Sequence, residues 1–209
     1  MNELNGVFAI ILASGQSSRM GTPKLLLPWH GLTIMEHTLQ KVSMLSFEGI
    51  KVVIPTKNEK LRAITSMYPC ESIINTSPHL GIGHSLSLAI RSLPSTTKAA
   101  IVFLGDQPKI HADDIQGVLG VFKQLQIRHS DNPNKSIIQV KYRDGKSGHP
   151  ILFSPHFFHE LISLEGDQGG KGIIQKNEQF VYQSKSVNNY PKDIDTPNDY
   201  HQLINEDIC

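Results

Sequence analysis

Three short runs of the chain are apolar at nearly every position. Val7–Ala13 reads VFAIILA, and Ile50–Ile54 and Ala99–Leu104 repeat the pattern. Each is followed at once by residues that turn a chain: Ser14-Gly15, Pro55 and Gly105. A strand with one wet face alternates apolar and polar positions, whereas a parallel strand covered on both faces is apolar throughout. These runs therefore predict buried parallel strands, with weaker candidates at Ser72–Ile74, Ser136–Lys141 and Phe180–Gln183. Between them the apolar period changes to that of a helix. Thr33–Leu45 carries a stripe through Ile34, Val42 and Leu45, Ser85–Leu93 through Leu86, Ala89 and Ile90, and Asp113–Leu125 through Ile115, Val118 and Phe122. Pro155–Leu164 and Pro197–Ile204 predict two more helices, each opened by a proline whose φ suits a first turn. Ser130–Lys135 reads as a polar turn and Gly166–Gly172 as a glycine-rich loop. Strands and helices in alternation predict an α/β protein with right-handed crossovers. Ligands of such sheets bind beyond the carboxyl ends of the strands, which directs attention to the residues after Ala13 and Leu104.

Composition narrows the function classes. The chain has 209 residues, a length that predicts one domain over 1–209. Twenty basic residues face 19 acidic ones, a net charge of +1, which argues against a nucleic-acid coat and against a polybasic membrane anchor. Two cysteines, Cys70 and Cys209, build no disulfide framework, and neither sits in a CxxC pair. The apolar stretch at Val7–Ala13 is too short to cross a bilayer and lacks the basic leader of a signal peptide. The expectation is a soluble cytoplasmic protein.

The candidate chemistry lies at the strand ends. Leu12–Lys24 reads LASGQSSRMGTPK: a buried strand runs into Gly15, two serines, Arg19, Gly21 and Lys24. Glycine allows close backbone approach, successive N–H groups cradle phosphate oxygens, and the two cations add charge at the same edge. A polyphosphate is the ligand this combination suits; the plainer alternative is a solvated turn with ordinary surface charges. The spacing is not that of a Walker A loop, because Gly21 is followed by Thr22-Pro23-Lys24, and Gly15-Gln16-Ser17 breaks the dinucleotide fingerprint. Asp106 follows the run AAIVFLG and faces the ligand crevice, where a carboxylate beside phosphates can hold magnesium or simply cap a turn. Asp193 and Asp195 alternate before the helix at Pro197, so they share one face if the segment is extended. The histidines at 149, 156 and 159 lack the HExxH arrangement of a zinc enzyme. His156 and His159 read as surface or packing residues, as does Trp29, and Cys70 as inert.

Taken together the motifs resemble the nucleotidyltransferases related to molybdenum-cofactor cytidylyltransferase. The marks are LASGQSSRMGTPKLLLP at 12–28, GIGHSLSLAI at 81–90, FLGDQP at 103–108, SGHPILF at 147–153, GDQGGKGII at 166–174 and DIDTPND at 193–199. The resemblance implies a Rossmann-like three-layer nucleotidyltransferase fold with a mostly parallel sheet. Nucleotide binding would fall to about 1–110 and acceptor binding to about 111–209. It further implies that Leu12, Ala13 and Ser14 line the nucleotide site, and that Gly15, Ser17, Ser18 and Arg19 grip the triphosphate. Lys24 would neutralise the α-phosphate, Ser85 would hold the base, and Asp106 and Asp195 would bind Mg²⁺. Gln107, His149, Gly169, Gly170 and Lys171 would face the acceptor. Arg19, Lys24 and Asp106 are thus the expected catalytic residues. Ser14 stands where relatives carry alanine or glycine, and Lys171 where arginine is common. The implied reaction is transfer of CMP from CTP, or GMP from GTP, to molybdenum cofactor, serving a client molybdoenzyme such as xanthine dehydrogenase in purine catabolism. The alternatives are a sugar-phosphate nucleotidyltransferase on the same fold and a non-catalytic carrier of molybdenum cofactor.

Overall fold

The computed structural model describes residues 4–17, 19–128 and 135–205. Ser18, Cys209 and most of the Ser130–Lys135 turn lie outside the described residues. The first strand, β1, covers Val7–Leu12, and a small hairpin of β2 (Pro28–Trp29) and β3 (Leu32–Thr33) leads into α1 at Ile34–Ser43. There follow β4 (Gly49–Pro55), α2 (Glu59–Ser66), β5 (Glu71–Asn75), α3 (Gly81–Arg91) and β6 (Ala99–Leu104). The second half contains α4 (Ala112–Arg128), β7 (Ile137–Lys141), β8 (Ser147–Phe153), α5 (Phe158–Ile162), α6 (Lys171–Lys176), β9 (Val181–Lys185) and α7 (Pro197–Asn205).

Seven strands form one sheet in the order β5-β4-β1-β6-β8-β7-β9. All run parallel except β8, which is antiparallel to both β6 and β7. The apolar runs sit at its centre, for the reason their composition gives: β1 is buried at every position. Its two faces belong to two cores. Val7, Ala9 and Ile11 pack with Leu39 of α1 and Ile115 of α4, whereas Ile10 and Leu12 pack with Leu86 of α3, Leu161 of α5 and Ile173 of α6. The result is the three-layer arrangement, helices on both sides of a mostly parallel sheet.

Local sequence sets the element ends. Thr33 caps α1: its hydroxyl accepts the Glu36 N–H, and the Glu36 carboxylate accepts the Thr33 N–H at 2.7 Å. The apolar pattern does not predict α2, α6 or β8, and it places the start of α3 at Ser85, not Gly81. Glycines at 81, 83 and 172 are weak helix formers and hide the period. The β8 segment opens with Ser147-Gly148-His149-Pro150, which carries no run of apolar residues. In the structure the β7–β8 register shifts between Gln139 and Val140, leaving His149 and Pro150 without ladder partners on β7. A bulge is where a strand tolerates a proline that has no N–H to give. The expected helix Pro155–Leu164 divides into a 3-10 turn at Pro155–Phe157 and the short α5.

Candidate functional site

Beyond the carboxyl ends of β1 and β6 lies a cleft of about 640 Å³. Its walls include Leu12–Gln16, Arg19 and Lys24 from the first loop, Gly81, Ile82 and Ser85 from the start of α3, and Asp106, Asp193 and Asp195. A second hollow of about 420 Å³ shares Ser14, Gly15 and Gln16 with it and extends to Pro55 and Lys57. The loop turns at Ser17, which adopts φ +51° and accepts the Lys24 backbone N–H on its hydroxyl at 3.3 Å. That bond closes the loop and brings the Lys24 side chain back into the cleft.

Lys24 is the hub. Its ammonium donates to Asp106 Oδ2 at 2.5 Å and to Asp195 Oδ1 at 2.8 Å, and Arg19 Nη2 donates to Asp195 Oδ2 at 2.8 Å. The two carboxylates are 82 and 171 residues away from Lys24 in sequence. The sheet brings Asp106 to it, because β6 lies next to β1. A backbone bond brings Asp195: the Ile194 N–H donates to the Asp106 carbonyl at 3.1 Å, which fixes the 193–195 segment along the Asp106 turn. The segment is reinforced by Asp199, whose carboxylate accepts the N–H groups of Asp195 and Thr196.

The charges respond to this packing. Burial opposes the ionised forms of Lys24 and Asp195, but the ion pairs outweigh it, so the ammonium is held above its usual pKa and Asp195 below the usual carboxylate range. Asp193 is pushed up to about 6, first by burial and then by the charge of Asp106. It also accepts from Gln107 Nε2 at 2.6 Å. The same amide group reaches the Tyr190 hydroxyl at 3.1 Å, while the buried Gln107 Oε1 has no partner among the described residues. Near the mouth of α3, Ser14 and Ser85 hydroxyls lie 2.7 Å apart, and Asn75 Nδ2 donates to both.

Most of the expected residues therefore meet. Leu12, Ala13, Ser14, Gly15, Arg19, Lys24, Ser85, Asp106 and Asp195 line one cleft. Gln107 lies behind Asp193. His149, at the bulge of β8, enters on the same edge of the sheet; burial lowers its imidazole to about 4. Gly169 and Gly170 pack against Ile82 and the Phe153 ring, so their loop closes over the start of α3. Lys171 opens α6, is exposed, and is not among the residues lining the cleft. Cys70 is half-buried, with its thiol pushed up to about 11 by burial. Sequence reasoning missed Asp167 as a cleft residue, and it missed Asn75, which is buried behind the cleft wall and donates to Ser14 and Ser85. Asn75 ends β5, a signal the strand-end rule carries, and Asp193, named with Asp195 from the sequence, lines the cleft beside it. Asp167 gave no such signal.

Two cations and four carboxylates, Asp106, Asp167, Asp193 and Asp195, line the cleft, with His79 beside them. Among the described residues no three of these side chains are grouped to hold a metal by themselves, but the Asp106–Asp195 pair suits a hard divalent ion, which commonly takes one or two carboxylates with phosphate oxygens. A polyanion entering the same space needs the added positive charge.

A family model, the MobA-like NTP transferase domain, matches residues 9–180. The chain belongs to that family. Among curated proteins, this MobA-like domain is similar to the bifunctional protein GlmU. It is 32% identical to that of Streptococcus pyogenes serotype M12 (strain MGAS2096) over 114 residues, 54% of this chain and 27% of that protein. It is 27% identical to that of Buchnera aphidicola subsp. Acyrthosiphon pisum (strain Tuc7) over 212 residues, 97% of this chain and 43% of that protein. The chain thus spans less than half the length of these curated relatives. Rv0371c from Mycobacterium tuberculosis H37Rv superposes with a TM-score of 0.83 at 27% identity, covering 95% of this chain and 97% of that one. Its manganese complex gives 0.79 at 25% identity, covering 95% and 98%. The MobA-like domain also shares its fold with CMP:2-keto-3-deoxy-manno-octonic acid synthetase complexed with CTP, at TM-score 0.74 and 12% identity, over 97% and 98% of the chains. Among the described residues no helix is long and apolar enough to cross a membrane.

Proposed function

We propose that this domain transfers a nucleotidyl group, CMP from CTP, to the terminal phosphate of molybdenum cofactor and releases pyrophosphate. The observation that carries the reading is the convergence of Asp106 and Asp195 on Lys24 at the edge of the glycine-containing loop. The acceptor is itself an anion, so attack on the α-phosphorus needs no strong base; the obstacle is repulsion between anions. Lys24 and Arg19 offset it, and holding both substrates in one cleft supplies much of the remainder. In this reading Gly15, Ser17, Ser18 and Arg19 grip the triphosphate, and Lys24 meets the α-phosphate. Asp106 and Asp195 would hold Mg²⁺, which supplies Lewis-acid charge and a template for the phosphates. That Rv0371c has a manganese complex is consistent with use of a divalent ion. Ser14 and Ser85 form the wall against which the base is read, held from behind by the buried Asn75. Gln107, His149, Gly169, Gly170 and Lys171 belong to the acceptor side in this reading. The division into a nucleotide-binding part at about 1–110 and an acceptor part at about 111–209 follows from the same reading, as does maturation of a client molybdenum hydroxylase in the cytoplasm.

The test is incubation with Mg²⁺, molybdenum cofactor and either CTP or GTP, with mass analysis of the pterin. A CMP-pterin dinucleotide with stoichiometric pyrophosphate is the expected result. Parallel reactions with sugar phosphates address the rival acceptor class. Product from those and none from the pterin overturns the assignment; cofactor binding without any transfer makes the protein a carrier.

A further inference from the structure

Lys24 is bonded to both carboxylates that the proposed reaction gives to a metal ion. A single nitrogen touches Asp106 Oδ2 and Asp195 Oδ1, and the Lys24 and Asp106 side chains are only 11% and 19% exposed. An ion coordinated by the same two oxygens would sit where that ammonium sits, at ligand distances of about 2.0–2.1 Å for magnesium. Two cations in contact repel, and a half-buried site screens that repulsion poorly. Nor can the pair do without a cation, since facing carboxylates with little solvent disfavour joint ionisation. The position of the ammonium is also built in from behind: the Lys24 backbone is tied to Ser17, and its stem is buried.

We propose that Lys24 is the resident counter-ion of the resting carboxylate pair and competes directly with the divalent ion, leaving the pair only when nucleotide phosphates offer its ammonium a new anionic partner. The inference rests on reading Asp106 and Asp195 as the metal ligands. It adds an order of events: the metal enters with the nucleotide and not before it. One lysine then does two things in sequence, offsetting part of the charge of the resting carboxylate pair and afterwards neutralising the α-phosphate. Arg19 does not share the first task. It reaches Asp195 Oδ2 alone, from a side chain 68% exposed.

The experiment is titration of Mn²⁺ into the nucleotide-free full chain, with free Mn²⁺ read from its electron paramagnetic resonance signal. Wild type is compared with Lys24→Met, Lys24→Gln and Arg19→Met. Both Lys24 variants should bind Mn²⁺ at least about tenfold more tightly than wild type, because a buried competing charge is gone. Arg19→Met, which removes an exposed charge, should change affinity by less than about threefold. Lys24→Gln keeps a hydrogen-bond donor between the carboxylates and decides the matter if Lys24→Met does not fold. No tightening in the folded Lys24 variants, or an equal gain in Arg19→Met, overturns the proposal. Adding Asp106→Asn to the tighter Lys24 variant separates the two readings. Loss of the gain supports competition at this carboxylate pair. Survival of the gain removes Asp106 from the metal site and the proposal with it. None of these readouts depends on turnover, so failure to transfer a nucleotide leaves the competition standing on its own evidence.

Discussion

Truncating Lys24 leaves Asp106 and Asp195 facing one another with only Arg19 at their outer edge. Lys24→Ala and Asp106→Ala should each lower kcat by about a hundredfold or more, the scale of a lost electrostatic contact in a water-poor site. Pyrophosphate release under saturating substrates measures it, and near-normal turnover in either variant would remove that residue from the chemistry. Asp193 makes a prediction of a different kind. Its carboxyl is raised from 3.8 to about 6, so the folded chain holds this proton more tightly than the unfolded chain. The stabilisation is therefore complete below the unfolded value and is lost as pH rises through 6. Asp195 is lowered and acts in the opposite sense, its stabilisation lost as pH falls below 3.8. Urea unfolding of the nucleotide-free protein at about pH 4.5 and pH 7 isolates the first effect: Asp193→Asn should be stabilised relative to wild type at the higher pH and gain less at the lower.

Among the elements, the start of α3 is the most constrained. Gly81 has φ +84°, and a Cβ there would come within 2.6 Å of the Gly166 carbonyl. Gly81→Ala should lower stability by about 1–2 kcal/mol and raise KM for the nucleotide, because the helix start and the 166–170 loop both border the cleft. A nucleotide KM unchanged from wild type would detach this helix start from binding. The same glycines explain a gap in the sequence reading. Ser85–Leu93 was legible as helix from Leu86, Ala89 and Ile90, whereas Gly81-Ile82-Gly83 carries no helical signal of its own. It becomes helical because the following turns pack on the sheet. For α6, six residues cannot display a period, and for β8 the bulge at His149-Pro150 interrupts one. Tertiary packing overrides local preference in each case.

At the scale of the whole molecule, one side chain joins the sheet to the 166–170 loop. Phe153 ends β8, is 1% exposed, and touches the position where Gly170 would carry a Cβ. Phe153→Ala should cost about 3–5 kcal/mol by leaving a cavity between β8 and that loop. Denaturant midpoints at constant m-value would record it; a loss below about 1 kcal/mol would mean that the loop collapses into the space.

The chain order of residues was sufficient to find the buried strands, the glycine-serine loop after Ala13 and the acid after Leu104. Continuous burial and the need to turn leave local marks that require no partner. Asp193 and Asp195 were legible as a pair sharing a face by the same local logic. What the order of residues could not reveal is that Lys24 bonds to Asp106 and Asp195 together, that Asn75 joins Ser14 to Ser85, or that Asp167 reaches the start of α3. Those meetings depend on which strands lie side by side and on one backbone bond from Ile194 to Asp106. Side chains far apart in a polymer acquire fixed distances and shared charge only after the sheet has closed the loops between them.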